Sequence, residues 1–332
     1  MTLALKFYTL LSRDLCTAFN AYQPNSTNAK MSQDPKTKLS SQGNDFTPTI
    51  HNDTYDYIKP EQFNLGGRSV FITGASKGIG RDTSLGFARA GASNIAIGAR
   101  SDMSSLAKEM KEAAKKAGRK EPNVISIKLD VSDQKSVDDA AKQIEKEFGE
   151  LDILINNAGY LEDFSKKIAD SDPADWWRVW EVNIKGPYLV ARATIPLLKK
   201  KTQSLKTILN VSSFGAHLLL HGASGYQMGK LALIRFSEFI NAEYENDGLL
   251  SYAVHPGGVA TELAKGMPEH MHSVLSDQPA LAGNTFVWLT AERRDWLAGR
   301  YISATWDMKE LLGKRENIEK NDLLKIRLDV GQ

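Results

Sequence analysis

Tyr226 and Lys230 stand four residues apart in Ser-Gly-Tyr-Gln-Met-Gly-Lys, and Ser213, the second of a Ser-Ser pair, precedes the tyrosine by thirteen. On a helix, positions i and i+4 share a face, so the Lys230 ammonium would stand beside the Tyr226 phenol. A neighbouring positive charge favours phenolate, which should bring the tyrosine down from about 10 towards the range of a working acid or base. A hydroxyl such as Ser213 can then hold a carbonyl or alcohol oxygen. By itself the pair also describes an aromatic anchor beside a solvated lysine, the commoner reading where nothing else matches.

A second pattern lies upstream. Ser69 to Thr73 is a short apolar run suited to a buried parallel strand, and it leads through Gly74, Ser76, Lys77, Gly78, Ile79 and Gly80 into a helical stretch ending near Ala90. The glycines permit a tight turn and let backbone N–H groups approach a pyrophosphate, and the helix N-terminus supplies a favourable dipole. The plain alternative is a helix-entry loop without a ligand.

Together these residues resemble the short-chain dehydrogenase/reductase family. Thr73 to Gly80, Asp130-Val131, Asn156 with Asn157, Ala158 and Gly159, Asn183, Ser213 with Tyr226 and Lys230, and Pro256-Gly257 with Val259 and Thr261 follow the family's order across residues 68–305. The resemblance implies a catalytic set of Asn183, Ser213, Tyr226 and Lys230. In it, Tyr226 exchanges a proton with the substrate oxygen, Ser213 orients that oxygen, Lys230 bonds the nicotinamide ribose and lowers the tyrosine, and Asn183 holds a helix geometry and a water. An asparagine beside Gly186-Pro187 also suits a plain helix cap or kink. The resemblance further implies that Asp130 meets the adenine with Val131 beside it, that Asn156 to Gly159 follow the ribose and brace the central strand, and that Pro256, Gly257, Val259 and Thr261 line the nicotinamide end. NAD-dependent relatives place an acid at the end of the second strand; here Gly98-Ala99 is followed by Arg100. Arg100 and Lys77 suit a 2′-phosphate, so NADP(H) is expected over NAD(H).

The positioning elements fit an α/β, Rossmann-type, doubly wound parallel sheet of seven strands flanked by helices. Apolar runs predict strands over 69–73, 94–98, 124–129, 153–155, 207–211, 251–254 and 300–304, with helices over 104–117, 133–148, 177–199 and 226–244. The 332 residues, 42% apolar and 25% charged, match a globule with a sizeable core, and a net charge of +2 argues against a nucleic-acid partner. The one cysteine, Cys16, excludes an intrachain disulfide, and the six histidines lack paired ligand spacing, so no metal is expected.

Residues 1–64 read as a flexible polar extension, 65–305 as the catalytic domain and 306–332 as a helical tail, an ending that departs from many relatives. The apolar cluster over residues 2–12 is too short and interrupted for a membrane span or a secretory signal, and Met31 offers an alternative start. A cytoplasmic location is expected, with mitochondrial import as the alternative, and a homodimer or homotetramer as the assembly. Tyr160 and Leu161, Phe214 to Leu220 and Leu263 to Leu275 are candidate walls for a small carbonyl or alcohol substrate, the last a candidate lid. Trp176, Trp177 and Trp180 read as core or interface anchors. Two other classes stay open: a lyase or epimerase on the same fold, and a nucleotide-binding regulator without turnover. The complete Ser-Tyr-Lys set argues against the regulator.

Overall fold

The computed structural model describes residues 43–200, 204–328 and 330. By its internal contacts the chain divides between Gly43 and Asn44, and the unit Asn44–Gln332 holds every element below. The expectations for Cys16 and for a start at Met31 lie outside the described residues.

Strand β1 (Ser69–Thr73) is buried at every residue, as an interior parallel strand must be. It feeds α1 (Gly78–Arg89), β2 (Asn94–Ala99), α2 (Ser104–Lys116), β3 (Asn123–Lys128), α3 (Gln134–Phe148) and β4 (Ile153–Asn156). Helix α3 opens on Asp133, whose carboxylate accepts the Ser136 N–H and caps the first turn. Then come α4 (Pro173–Trp180), a π-helical turn over Glu181–Lys185 and α5 (Gly186–Lys199). A single helix over 177–199 was expected from sequence; the structure divides it. Pro187 has no N–H for the Asn183 carbonyl, so the helical ladder is interrupted there and an extra residue is accommodated. The chain ends through β5 (Thr207–Val211), α6 (Ser224–Glu243), β6 (Leu250–His255), α7 (Pro279–Thr290), β7 (Tyr301–Ser303), α8 (Met308–Gly313) and α9 (Arg315–Lys320).

The seven strands lie in the order β3-β2-β1-β4-β5-β6-β7 and all pair parallel. The order reverses between β1 and β4, so the crevice of a doubly wound sheet opens at their carboxyl ends. One apolar layer gathers Phe87, Phe286 and Trp306, the other Phe71, Leu154 and Ile208. Helices α1 and α7 approach closely enough that a Cβ at Gly283 would stand 2.8 Å from the Thr83 nitrogen. Across the middle of the sheet, Asn156 donates to the Asn210 side-chain oxygen at 2.9 Å, and Asn210 donates to Ser237 Oγ at 2.9 Å. This buried polar line fixes β4, β5 and α6 in one register.

The extension expected to be flexible is packed over its described part. Residues 44–64 are a packed strap: Ile58 is fully buried, Phe46 lies 5.0 Å from Trp306 between ring centroids, and Ile50 forms an antiparallel bridge with Trp306. A few aromatic and aliphatic residues hold the strap although its composition is polar. The tail is helical and packs on the domain, with Trp306, Met308 and Leu311 fully buried in the core. Among the described residues no helix is long and apolar enough to cross a membrane, and no group of three or more His, Cys, Asp or Glu is placed to hold a metal ion.

Candidate active site

A cleft of about 270 Å³ opens at the carboxyl end of the sheet. One wall is the glycine-rich loop, Gly74 and Ser76 to Gly80, which runs into α1. That helix starts on Lys77 with no side-chain cap and no acid in its first turn, so its first N–H groups and its dipole are left for an anion. The loop is fastened to the turn after β4: Asn157 donates to the Thr73 and Gly74 carbonyls at 2.9 and 3.1 Å, and Thr73 Oγ1 accepts the Asn157 and Ala158 N–H groups. Gly80 sits so close to this junction that a Cβ there would fall 2.3 Å from the Gly74 carbonyl oxygen.

Arg100 and Ser101 after β2, and Asp130 and Val131 after β3, form the far end of the cleft. Arg100 and Lys77 are both exposed, and Arg100 makes no ion pair among the described residues. The Asp130 carboxylate is held below its ordinary range, chiefly by the Ser132 hydroxyl, which donates to it at 2.6 Å. Arg178 from α4 also lines the cleft and stands 5.2 Å above the Tyr160 ring.

Tyr226 and Lys230 bring α6 to the near end, with Ser212, Pro256, Thr261 and Leu263. The Lys230 ammonium is buried, donates to the Val211 carbonyl at 2.7 Å and lies 5.5 Å from the Tyr226 ring centre. Ser213 accepts the Gly215 N–H at 3.0 Å and stands close enough to the Tyr226 phenol to ease its proton off. The expected lowering of Tyr226 by Lys230 is not what this geometry produces. Burial pushes the phenol up, Ser213 opposes it, and burial brings Lys230 itself down to about 8.

The sequence-predicted residues fall into two groups. Gly74, Ser76, Lys77, Gly78, Ile79, Gly80, Arg100, Asp130, Val131, Asn157, Ala158, Gly159, Tyr226, Lys230, Pro256 and Thr261 line the cleft. Thr73, Asn183, Ser213, Gly257 and Val259 stand behind it. Asn183, in the π turn, clamps the Tyr160 backbone from both sides, accepting its N–H and donating to its carbonyl, each at 2.8 Å. Gly257 and Val259 pack against Asp277, which accepts the Gly258 N–H at 2.6 Å and which burial pushes up to about 6. Ser212, the first of the Ser-Ser pair, lines the cleft and donates to the Lys230 carbonyl at 2.7 Å. Sequence reasoning missed Arg178, Leu129 and Glu262; none stands in a motif, and only the fold brings α4, the end of β3 and the loop after β6 to one place. Of the three tryptophans, Trp177 is 59% exposed, so it is not a core anchor.

The residues present fit a dinucleotide: an uncapped helix N-terminus for a pyrophosphate, backbone packed too tightly at Gly80 for any side chain, and a buried ammonium beside the phenol. The model for the short chain dehydrogenase family matches residues 68–272. The chain is 50% identical over 278 residues to short chain dehydrogenase citE of Monascus ruber, covering 84% of this chain and 94% of that one. It is 48% identical over 286 residues to short chain dehydrogenase pigC of Monascus ruber, covering 85% and 93%. A short-chain type dehydrogenase/reductase from Mycobacterium marinum superposes with a TM-score of 0.64 at 24% identity, over 73% of this chain and 95% of that structure, a likeness of fold. Motifs, sheet order and relatives agree, and the chain belongs to the short-chain dehydrogenase/reductase family, oxidoreductases that act on CH–OH groups with a nicotinamide dinucleotide.

Proposed function

We propose that the protein is an NADP(H)-dependent oxidoreductase that interconverts a carbonyl and an alcohol on a small, largely apolar organic substrate. The observation that carries the reading is the meeting of Tyr226 and Lys230 with the glycine-rich loop in one cleft, with Ser213 behind the phenol. When bound, the nicotinamide supplies the hydride, or receives it in the alcohol direction. Tyr226 gives its phenolic proton to the substrate oxygen, or takes it back in reverse. Ser213, next to the phenol, would accept or donate at the same oxygen and set its direction. Lys230 would hold the ribose hydroxyls, and its charge there would favour loss of the tyrosine proton. Asn183 keeps the Tyr160 backbone, and with it that wall of the site, in place. Tyr160 and Leu263 offer apolar surface at the substrate end.

The preference for NADP(H) is supported by Arg100, a cation on the cleft without an ion-pair partner among the described residues, with Lys77 on the same cleft. Titration with NADPH and NADH, followed by nicotinamide fluorescence, tests it. The wild type should prefer NADPH, and Arg100→Ala should lose about tenfold or more for NADPH with little change for NADH. Equal affinities in the wild type would overturn the preference. Tyr226→Phe should abolish NADPH-coupled turnover of carbonyl compounds while leaving nucleotide affinity within about twofold.

A further inference from the structure

Helix α6 carries both Tyr226 and Lys230, yet it begins without a cap of its own. Ala223 at its N-cap offers no side-chain hydrogen bond, and the first turn holds no acid. The orphan N–H groups are satisfied from elsewhere. Glu162, sixty-four residues upstream, is 6% exposed and accepts the Tyr226 N–H with both carboxylate oxygens, at 2.9 and 3.1 Å. The Gly225 N–H is near enough to the same carboxylate to favour its charged form. A Cβ on Gly225 would stand 3.2 Å from Glu162 Oε1 and 3.2 Å from the Trp176 indole, so the first turn of α6 is held between the two. Trp176 in turn donates to Ser224 Oγ at 3.0 Å. Glu162 lies three residues beyond Gly159, on the turn that lines the cofactor cleft.

We propose that Glu162 is the positioning residue of Tyr226, holding the first turn of α6 so that the phenol and Lys230 face the cleft, with Ser213 behind them, in one geometry, and setting a negative charge at the backbone of the residue that carries the phenol. A carboxylate at a helix N-terminus is favoured by the dipole and by the N–H groups it accepts. Its burial pulls the other way and raises it, as does the charge of Asp175. Asp175 is itself occupied, accepting the Tyr160 hydroxyl at 2.6 Å and the Asp163 N–H at 3.1 Å. The phenol is therefore faced by Ser213 from the end of β5, Lys230 from its own helix and Glu162 from the loop after β4. Burial is the largest influence and holds the proton on; Ser213 eases it off, and the Glu162 charge adds to the burial. The inference rests on Tyr226 as the acid/base of the proposed function.

The test is a titration of the Tyr226 phenol by ultraviolet difference absorbance, each protein measured against the same protein carrying Tyr226→Phe, with NADPH binding as the check on folding. Glu162→Gln keeps the shape and removes the charge, so the midpoint should fall. Glu162→Asp keeps the charge one methylene back and should return the midpoint to within a few tenths of wild type. An unmoved midpoint in Glu162→Gln overturns the proposal. So does an equal displacement in Glu162→Asp, which would mark a loosened helix alone; if Glu162→Gln does not fold, any clear displacement in Glu162→Asp has the same force. The titration needs no substrate, so it fails separately from the function: retained turnover in Tyr226→Phe would sink the function, whatever Glu162 does.

Discussion

Gly80→Ala should cost both stability and nucleotide affinity, because its added methyl has nowhere to go. The new Cβ would stand 2.3 Å from the Gly74 carbonyl oxygen, 2.5 Å from Asn157 Nδ2 and 2.9 Å from the Gly74 carbonyl carbon. Non-bonded contacts of this kind settle near about 3.5 Å, so the surroundings must yield by roughly 1 Å. The atoms that must yield are a backbone and the amide that pins it, which already donates to that carbonyl. Overpacking of this kind costs about 1–3 kcal/mol. The same shift drags the loop that presents the N–H groups of α1, and losing one hydrogen bond to an anion is worth about 1.5–3 kcal/mol, or roughly 10- to 100-fold in Kd. Gly313→Ala is the matched control, lying in α8 with open space around its Cβ; it should stabilise by about 0.5–1 kcal/mol. Urea unfolding and NADPH fluorescence titration read both effects. A Gly80→Ala protein with a wild-type unfolding midpoint and NADPH affinity within twofold of wild type would refute the reasoning.

Trp306→Ala removes a fully buried indole between Phe46 and Tyr301 and should cost about 3–5 kcal/mol in urea unfolding, with NADPH affinity unchanged because Trp306 does not line the cleft. Lys230 is lowered from 10.5 to about 8 by burial, so charging it in the folded apoprotein costs stability. That cost, about 3 kcal/mol, is complete below pH 8 and disappears as pH rises to 10.5. The stability advantage of Lys230→Met over wild type should therefore be greatest below pH 8 and shrink across that window; an advantage independent of pH would contradict the burial of a titrating amine. Because burial raises the Tyr226 phenol, carbonyl reduction should hold steady through neutral pH while alcohol oxidation climbs with pH, a contrast read from initial rates in both directions.

The sheet was legible because interior parallel strands are continuous apolar runs bounded by polar turns. The run Thr207–Val211 matches its predicted bounds, and β2, β3, β6 and β7 differ by a residue at one or both ends. The catalytic pair was legible because spacing on one helix is local information. Less legible was anything that depends on elements meeting. The strap over 44–64 hides its anchors, Phe46, Tyr55 and Ile58, among polar residues, and what they pack against lies some 250 residues away. The break in the helix over 177–199 had its cause in view at Pro187, but the continuous apolar pattern on either side outweighed it. The proton affinity of Tyr226 depends on how deeply the fold buries it and on Glu162, neither of which the four-residue spacing to Lys230 encodes.

The strap has a consequence for how the chain is made. Thr47 accepts the Asp307 N–H 260 residues later, and Thr49 binds Glu310 across 261. At about 5–20 residues per second, a ribosome needs about 13–50 s to bring those partners out after the strap has emerged. Through that interval Phe46 and Tyr55 have no Trp306 to cover them, and β7 has not yet closed the edge of the sheet. Chains that stop short of Trp306 keep that surface permanently, so self-association should trouble interrupted synthesis far more than the finished protein.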